Sequence, residues 1–224
     1  MDEPRTRMLI GDKADRLTDS GVIIFGLGGV GGYVAEFLVR AGIGRIALVD
    51  NDEISPSNFN RQILAVDSNV GQSKVEAAKA RLLSINGNLK VDTFDIFFTA
   101  DSKIDLSAYN CCVDCIDTVA SKLELVRQCY GVVPLISCMG TGNKLDTSFK
   151  AADIFSTSVC PLARVMRREL KRMGIPSLRV VYSEEAPNSE VIESMGRHAP
   201  GSISYVPAAA ACVIAREVIA LLTK

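Results

Sequence analysis

This sequence predicts an α/β fold: a doubly wound, mostly parallel sheet with a mixed or antiparallel C-terminal extension. Three observations lead there. A short β-branched run feeds a glycine-rich turn and then a helical pattern, strand and helix patterns alternate through about the first 145 residues, and the alternation changes character after that. Repeated strand–helix–strand units imply a parallel sheet with right-handed crossovers. The chain is long enough to bury the core this needs: 224 residues, 48% hydrophobic, with 17 Gly and only 8 Pro. The same composition excludes a disordered, collagen-like or low-complexity protein. With no internal repeat and no Pro-, Gly- or Ser-rich linker, one domain over residues 1–224 is expected.

Val22, Ile23, Ile24 and Phe25 form a strand apolar on both faces, as a central parallel strand must be. Past the glycines, Val30, Val34, Leu38 and Ala41 recur at helical spacing until Gly42 and Gly44 stop the helix. Residues 45–49 are the second strand, ending at Asp50. A helix over 73–83, a strand over 89–94, a strand over 110–115 arriving at Asp117, a helix over 121–129 and a strand over 132–138 continue the alternation. The C-terminal third reads as a helix over 161–173, a strand over 178–182, a polar loop over 184–201, a strand over 202–206 and an alanine-rich helix over 208–222.

Charge and cysteine usage narrow the class. Lys and Arg number 25 against 26 Asp and Glu, so blanket coating of nucleic acid is excluded and any such binding must come from a local patch. The longest uninterrupted apolar run, residues 206–215, stops at Arg216 and Glu217, short of a membrane span, and residues 1–7 lack the apolar stretch of a signal peptide. Seven cysteines, an odd count, suit reduced thiols and a cytoplasmic location.

The chemistry concentrates after the first strand. Gly26-Leu27-Gly28-Gly29-Val30-Gly31 joins a strand to a helix, where tight turning and close approach to a phosphate both favour residues without a Cβ. Asp50 stands nineteen residues beyond Gly31 at the end of the next strand, the place from which a carboxylate receives ribose hydroxyls. This Rossmann-like fingerprint alone is compatible with NAD. The next segments point elsewhere: Arg61 and Lys74 offer cationic charge that hydride transfer does not need, whereas a splitting triphosphate does. Asp117, at the same sheet edge, is suited to Mg²⁺ on those phosphates. Singly, Arg61 and Lys74 read as solvated surface charges; with Asp50 and Asp117 they read as an ATP site.

Those residues resemble a known family. The glycine loop, Asp50-Asn51-Asp52, Ser57-Asn58-Phe59-Asn60-Arg61-Gln62, Val70-Gly71-Gln72-Ser73-Lys74 and Asp114-Cys115-Ile116-Asp117 match the ubiquitin-activating-like adenylating enzymes, which include bacterial adenylyltransferases of thiamine and molybdopterin synthesis. The resemblance implies that Gly26, Gly28, Gly29, Gly31 and Asp50 hold ATP. It also implies that Asn58, Arg61 and Lys74 contact phosphates, and that Asp117 binds Mg²⁺ and orients the attacking carboxylate. Further segments narrow it: Met139-Gly140-Thr141-Gly142-Asn143-Lys144-Leu145-Asp146, Thr157-Ser158-Val159-Cys160-Pro161-Leu162-Ala163-Arg164, Tyr182-Ser183-Glu184-Glu185, and residues 201–207. These resemble the tRNA threonylcarbamoyladenosine dehydratase branch, whose members adenylate the threonine carboxylate of the modified adenosine and let it cyclise with loss of AMP. A homodimer, with N-terminal arginines such as Arg5 and Arg7 reaching the partner's phosphates, is a further implication.

Two departures matter. Cys112 and Cys115 form one CxxC without the second pair of a structural zinc site, and so read as core cysteines. Some members of the branch carry a cysteine in the strand that here spans 178–182; its lack favours direct cyclisation over a thioester and leaves Cys160, before a helix, as the remaining nucleophile candidate. Arg164, Arg167, Arg168, Lys171 and Arg172 fall on one stripe of the 161–173 helix, a candidate tRNA phosphate track, and Glu169 falls on the apolar side, where it needs a partner. His198 and the Glu184-Glu185 pair read as solvated members of a loop long enough to serve as a lid. The competing readings are an adenylyltransferase serving a ubiquitin-like sulfur-carrier protein, with a sulfur-transfer partner, and a nucleotide-binding module or NAD oxidoreductase.

Overall fold

The computed structural model describes residues 4–187 and 200–224. Two short helices, α1 (Pro4–Ile10) and α2 (Lys13–Thr18), precede the first strand; neither carries the long apolar period that would announce it in the sequence. Then come β1 (Gly21–Phe25), α3 (Gly31–Ala41), β2 (Arg45–Asp50), α4 (Lys74–Ile85), β3 (Lys90–Asp95), β4 (Cys111–Asp114), α5 (Val119–Cys129) and β5 (Leu135–Cys138). β6 (Phe149–Asp153), α6 (Pro161–Arg172), β7 (Arg179–Ser183) and α7 (Tyr205–Leu222) complete the described chain.

The seven strands form one sheet in the order β3-β2-β1-β4-β5-β7-β6. All neighbours are parallel except β6, which runs antiparallel to β7 at the edge. The predicted architecture is thus observed. The order reverses between β1 and β4, and in open α/β sheets ligands bind outside the carboxyl ends of the strands at such a point.

β1 shows why the central strands are apolar throughout: Val22 and Ile24 enter the core beneath α3, α4 and α7, while Ile23 and Phe25 enter the core on the opposite face. There Phe25 meets Phe98 edge-on, with ring centroids 4.9 Å apart. α6 closes a third cluster through Ala163, Met166 and Leu170. α3 ends at Gly42, whose φ of 106° belongs to the left-handed region.

Two elements differ from the sequence expectation. β6 is an edge strand paired on one side only, and its half-buried Phe-Lys-Ala-Ala-Asp run lacks the β-branched character that marks a strand. Residues 202–206 are not a strand. Ser202-Ile203-Ser204-Tyr205 imitates strand alternation, but α7 begins at Tyr205, and Pro207 sits in its first turn, where a missing N–H costs nothing. The eighteen residues of α7 are long and apolar enough to cross a membrane by length and composition, with Arg216 and Glu217 inside the span. In the fold Val206, Ala210, Ala211, Ile214, Ala215 and Val218 are buried, and α7 packs on α3 and β6.

Candidate active site

A cleft of about 460 Å³ opens at the carboxyl edge, at the β1/β4 reversal. Gly26, Gly28, Gly29, Asp50, Asn58, Arg61, Lys74 and Asp117 all line it, although they are spread over more than ninety residues of chain. Gly31 does not line it. As the first residue of α3 it lies against the turn, where a Cβ would come within 1.8 Å of the Gly26 carbonyl oxygen.

The glycines have separate duties. Gly26 has a φ of +85°, and a Cβ there would meet the Cys115 carbonyl oxygen at 2.7 Å, so this residue makes the turn and lets the β4 loop approach. Among the described residues, its two chain neighbours aside, the only atom within 4 Å of a Cβ built on Gly28 is Gln62 Nε2, at 3.9 Å. The described fold leaves room for a side chain there, at a position that lines the cleft.

Asp50 ends β2 with its carboxylate fixed by two backbone amides: Oδ2 accepts from Leu27 N at 2.6 Å and Oδ1 from Asp52 N at 2.8 Å. One side chain thereby ties the glycine loop to the second strand. Asn58 closes the 3₁₀ turn Pro56–Asn58 by accepting from Ser55 N at 3.0 Å, which holds its side chain at the cleft wall. Arg61 Nη1 donates to Ser57 O at 3.0 Å and to Asn60 Oδ1 at 2.9 Å, so its guanidinium is tethered within its own loop.

Lys74 is nearly buried on the first turn of α4, and its Nζ lies 2.7 Å from Asp52 Oδ2, whose side chain is 61% exposed. Backbone stitches hold the two segments together: Lys74 N donates to Asp52 O at 2.9 Å and Ile54 N to Gln72 O at 2.9 Å. Asp52 is a partner of Lys74 that the sequence spacing does not reveal, since the two residues are 22 positions apart. Asp117, just past β4, is exposed, and its Oδ1 accepts a 3.3 Å bond from Thr118 Oγ1, its only one among the described residues.

Val49, Ile96, Phe97, Phe98 and Ile116 give the cleft an apolar wall, and Thr141, Gly142, Ser202 and Pro207 also line it. Residues 200–202 are fastened there. Asn143 N donates to Gly201 O at 2.8 Å, its Oδ1 accepts from Gly201 N at 2.6 Å, and Asn60 Nδ2 donates to Ser202 O at 3.0 Å. Gln62 Oε1 is buried without a hydrogen-bond partner among the described residues.

These residues fit a nucleotide triphosphate. An open glycine backbone, a carboxylate at the second strand, two cations and an apolar wall match phosphates, ribose and base in turn. For a divalent cation the cleft supplies a hard oxygen at Asp117, and among the described residues no cluster of three His, Cys, Asp or Glu could hold a metal alone. That donor set suits Mg²⁺, which is bound through one or two carboxylates plus substrate phosphates.

Other predicted residues lie elsewhere or are already engaged. The α6 cations do not line the cleft. Arg167 is half-buried and donates to Thr157 O at 2.9 Å and to Thr157 Oγ1, so it is an anchor. Arg168 and Arg172 both bind Glu169, at 2.7 and 3.1 Å. Glu169 is therefore at the margin of the apolar face, one step round the helix from Arg168, and has the partners its position requires. Arg164 and Lys171 are exposed, with the Lys171 ammonium 5.9 Å from the Phe155 ring centroid.

The Glu184-Glu185 pair is not simply solvated. Glu184 is held below the usual carboxylate range by Lys150 at 2.7 Å and by bonds from Ser158 and Tyr182. The Glu185 carboxylate accepts from Leu145 N at 2.9 Å and Asp146 N at 3.0 Å. His198 and most of the polar loop lie outside the described residues.

Apart from the exposed Cys212, the cysteines pack in or against the core, with Cys115 also reaching the cleft lining. Burial pushes the Cys111 and Cys138 thiols up to about 12 and Cys115 well above its usual value. Cys112 is raised first by its hydrogen bond with Cys129 and then by burial. Cys160 is 2% exposed within the α6 cluster, which removes it from solvent and from the cleft lining. Arg7 pairs with Asp15 within the N-terminal helices.

The chain is similar to known proteins along nearly its whole length. The chain is 36% identical to the tRNA threonylcarbamoyladenosine dehydratase of Bacillus subtilis over 98% of this chain and 94% of that protein. It is 37% identical to the Escherichia coli protein of the same name over 74% of this chain and 64% of that one. The crystal structure of the E. coli dehydratase in complex with ATP superposes with a TM-score of 0.88 at 31% identity, covering 98% of this chain and 92% of that chain. Its AMP complex gives 0.87. A family model matches residues 5–224, and the chain belongs to the ThiF family.

Proposed function

We propose that this protein is an ATP-dependent tRNA threonylcarbamoyladenosine dehydratase. The observation that carries the reading is the joining of Gly28, Asp50, Asn58, Arg61, Lys74 and Asp117 in one cleft, in a chain that matches a dehydratase of that name almost end to end. ATP lies with its phosphates along the glycine-loop amides and its ribose hydroxyls at Asp50, whose fixed carboxylate oxygens have lone pairs to spare. Asn58, Arg61 and Lys74 bind the phosphates. The ammonium of Lys74 keeps two protons beyond its bond to Asp52, so Asp52 aims it without consuming it. Asp117 carries Mg²⁺, which when bound neutralises phosphate charge.

The threonine carboxylate of the modified adenosine attacks the α-phosphorus, pyrophosphate leaves, and the acyl adenylate cyclises with the substrate's own nitrogen as AMP departs. The carboxylate is already ionised at neutral pH, so the chain's work is positioning and charge neutralisation. No thiol is needed, in keeping with the buried Cys160 and the thiol-free β7. tRNA docks with help from the exposed cations of α6, principally Arg164 and Lys171. The enzyme works in the cytoplasm as a homodimer, with N-terminal arginines completing the partner's phosphate site.

The test is ATP–pyrophosphate exchange with and without tRNA bearing threonylcarbamoyladenosine. Exchange that depends on that tRNA, with AMP formed stoichiometrically with the cyclised base, is the expected result. Exchange driven instead by the C-terminus of a ubiquitin-like sulfur carrier refutes the tRNA assignment, and no exchange with either acceptor refutes adenylation.

A further inference from the structure

At the inner wall of the same edge lies an ion pair that the chemistry above does not use. Lys122, in the first turn of α5, and Asp114, the last residue of β4, are both wholly buried, with Nζ 2.9 Å from Asp114 Oδ2. Lys122 spends its other two protons on backbone carbonyls, Ile116 O at 3.0 Å and Cys138 O at 2.9 Å. Asp114 in turn accepts from Ser137 Oγ at 2.5 Å and from Ile116 N at 3.1 Å.

Stability alone does not account for such a pair. Two charges taken fully out of water cost more than well-packed apolar side chains of the same volume, so a buried ion pair is weak evidence of a stabilising role. What it does here is geometrical. Ile116 is held at both its N–H and its C=O, which fixes the peptide planes immediately before Asp117. The bond to Cys138 O fixes the end of β5, from which the chain continues to the cleft residues Thr141 and Gly142. One ammonium thus joins the ends of two neighbouring strands whose following loops both line the cleft.

We infer that Lys122 is a positioning residue: through Asp114 and two carbonyls it sets the loops after β4 and β5, and so sets where Asp117 stands relative to the bound triphosphate. The inference rests on Asp117 acting at the phosphates, as proposed above.

The test compares wild type with Lys122→Met and with the double variant Asp114→Asn/Lys122→Met. The single variant leaves a buried carboxylate unpaired and melts early; the double variant removes both charges and regains most of the melting temperature. Its loops remain untied. Hydrogen exchange of the amides at 116–118 and 139–142, measured without nucleotide, is expected to quicken by about tenfold or more while that of α3 stays as in wild type. In tRNA-dependent exchange, kcat falls by about 100-fold, whereas KM for ATP moves less than about threefold. Ser137→Ala, which cuts one bond to Asp114 and keeps the pair, shifts the same amides by a smaller factor.

Wild-type amide exchange at both loops in either folded variant overturns the inference. So does recovery of kcat together with the melting temperature in the double variant. If wild-type protein shows no exchange with any acceptor, the functional reading fails by itself, and the amide measurement still decides whether Lys122 ties the loops.

Discussion

Replacing Gly28 and Gly31, three residues apart, by alanine should have opposite consequences. At Gly31 the new Cβ would stand 1.8 Å from the Gly26 carbonyl oxygen and 3.3 Å from Cys115 Cβ, and the first of these is backbone that cannot rotate away. Forced overlap of this kind costs about 3 kcal/mol or more. For a chain of this length that is a fall in Tm of roughly 6–12 °C. At Gly28 the new Cβ would make one ordinary contact, 3.9 Å from Gln62 Nε2, and the backbone is not in the left-handed region. An alanine that fits without strain stabilises by about 0.4–1 kcal/mol, because the unfolded chain loses freedom. Gly28→Ala should therefore raise Tm by about 1–4 °C. The same methyl stands where phosphate approaches the loop, so ATP affinity should fall by about tenfold or more, roughly 1.4 kcal/mol. Differential scanning calorimetry and equilibrium dialysis with labelled ATP read the two effects separately. Gly28→Ala protein binding ATP within twofold of wild type would refute the placement of the triphosphate along this turn. A lowered Tm would refute the claim that the fold leaves this position open.

Other expectations follow from the same geometry. Arg61→Ala and Asp117→Asn should each lower tRNA-dependent turnover by about 100-fold or more while leaving Tm nearly unchanged, because both side chains are held only by local bonds and act on developing charge; near-normal turnover in either would remove the residue from the phosphate end. Glu36, a buried residue of α3, is pushed up by burial but held net below its usual 4.5 by Arg81 of α4 at 2.6 Å and Arg40 of its own helix at 2.8 Å. Its contribution is therefore full above pH 4.5 and lost as pH falls through the lower folded value. Glu36→Gln should cost about 1 kcal/mol at pH 7 in urea unfolding, a gap that closes on acidification below pH 4.5; a gap that persists there would refute the ion-pair account. Neutralising Arg164, Arg168 and Lys171 together should weaken tRNA binding and flatten its salt dependence without changing ATP affinity, whereas neutralising Arg167 should lower Tm because of its bonds to Thr157. Filter binding across a salt series and thermal melts check these outcomes.

Much of the cleft was legible in the chain because its signals are local. Gly26 to Gly31, the strand before them and the helix after them occupy a few turns, and Asp50 stands at a distance set by one helix and one strand. Arg61, Lys74 and Asp117 could be assigned to the same edge because parallel strands place all their carboxyl ends on one side. Less legible were features with no local period. β6 is a five-residue edge strand defined by pairing with β7. The start of α7 was obscured because Ser202-Ile203-Ser204-Tyr205 alternates as a strand would, while a proline in a first turn suits a helix equally well.

What the amino-acid order settled without coordinates is the kind of protein: a mostly parallel α/β sheet whose glycine turn follows the first strand, with Arg61, Lys74 and Asp117 brought to the same edge. Periodicity, missing Cβ atoms and strand ends are properties of neighbouring residues, so they can be read from neighbours. The folded molecule alone decided who holds whom. Asp52 takes Lys74, Thr157 takes Arg167, Glu169 takes Arg168 and Arg172, and Lys122 joins the ends of β4 and β5. A side-chain charge reaches only a few ångströms with effect, and which groups come within that reach depends on crossovers and packing, not on spacing along the chain.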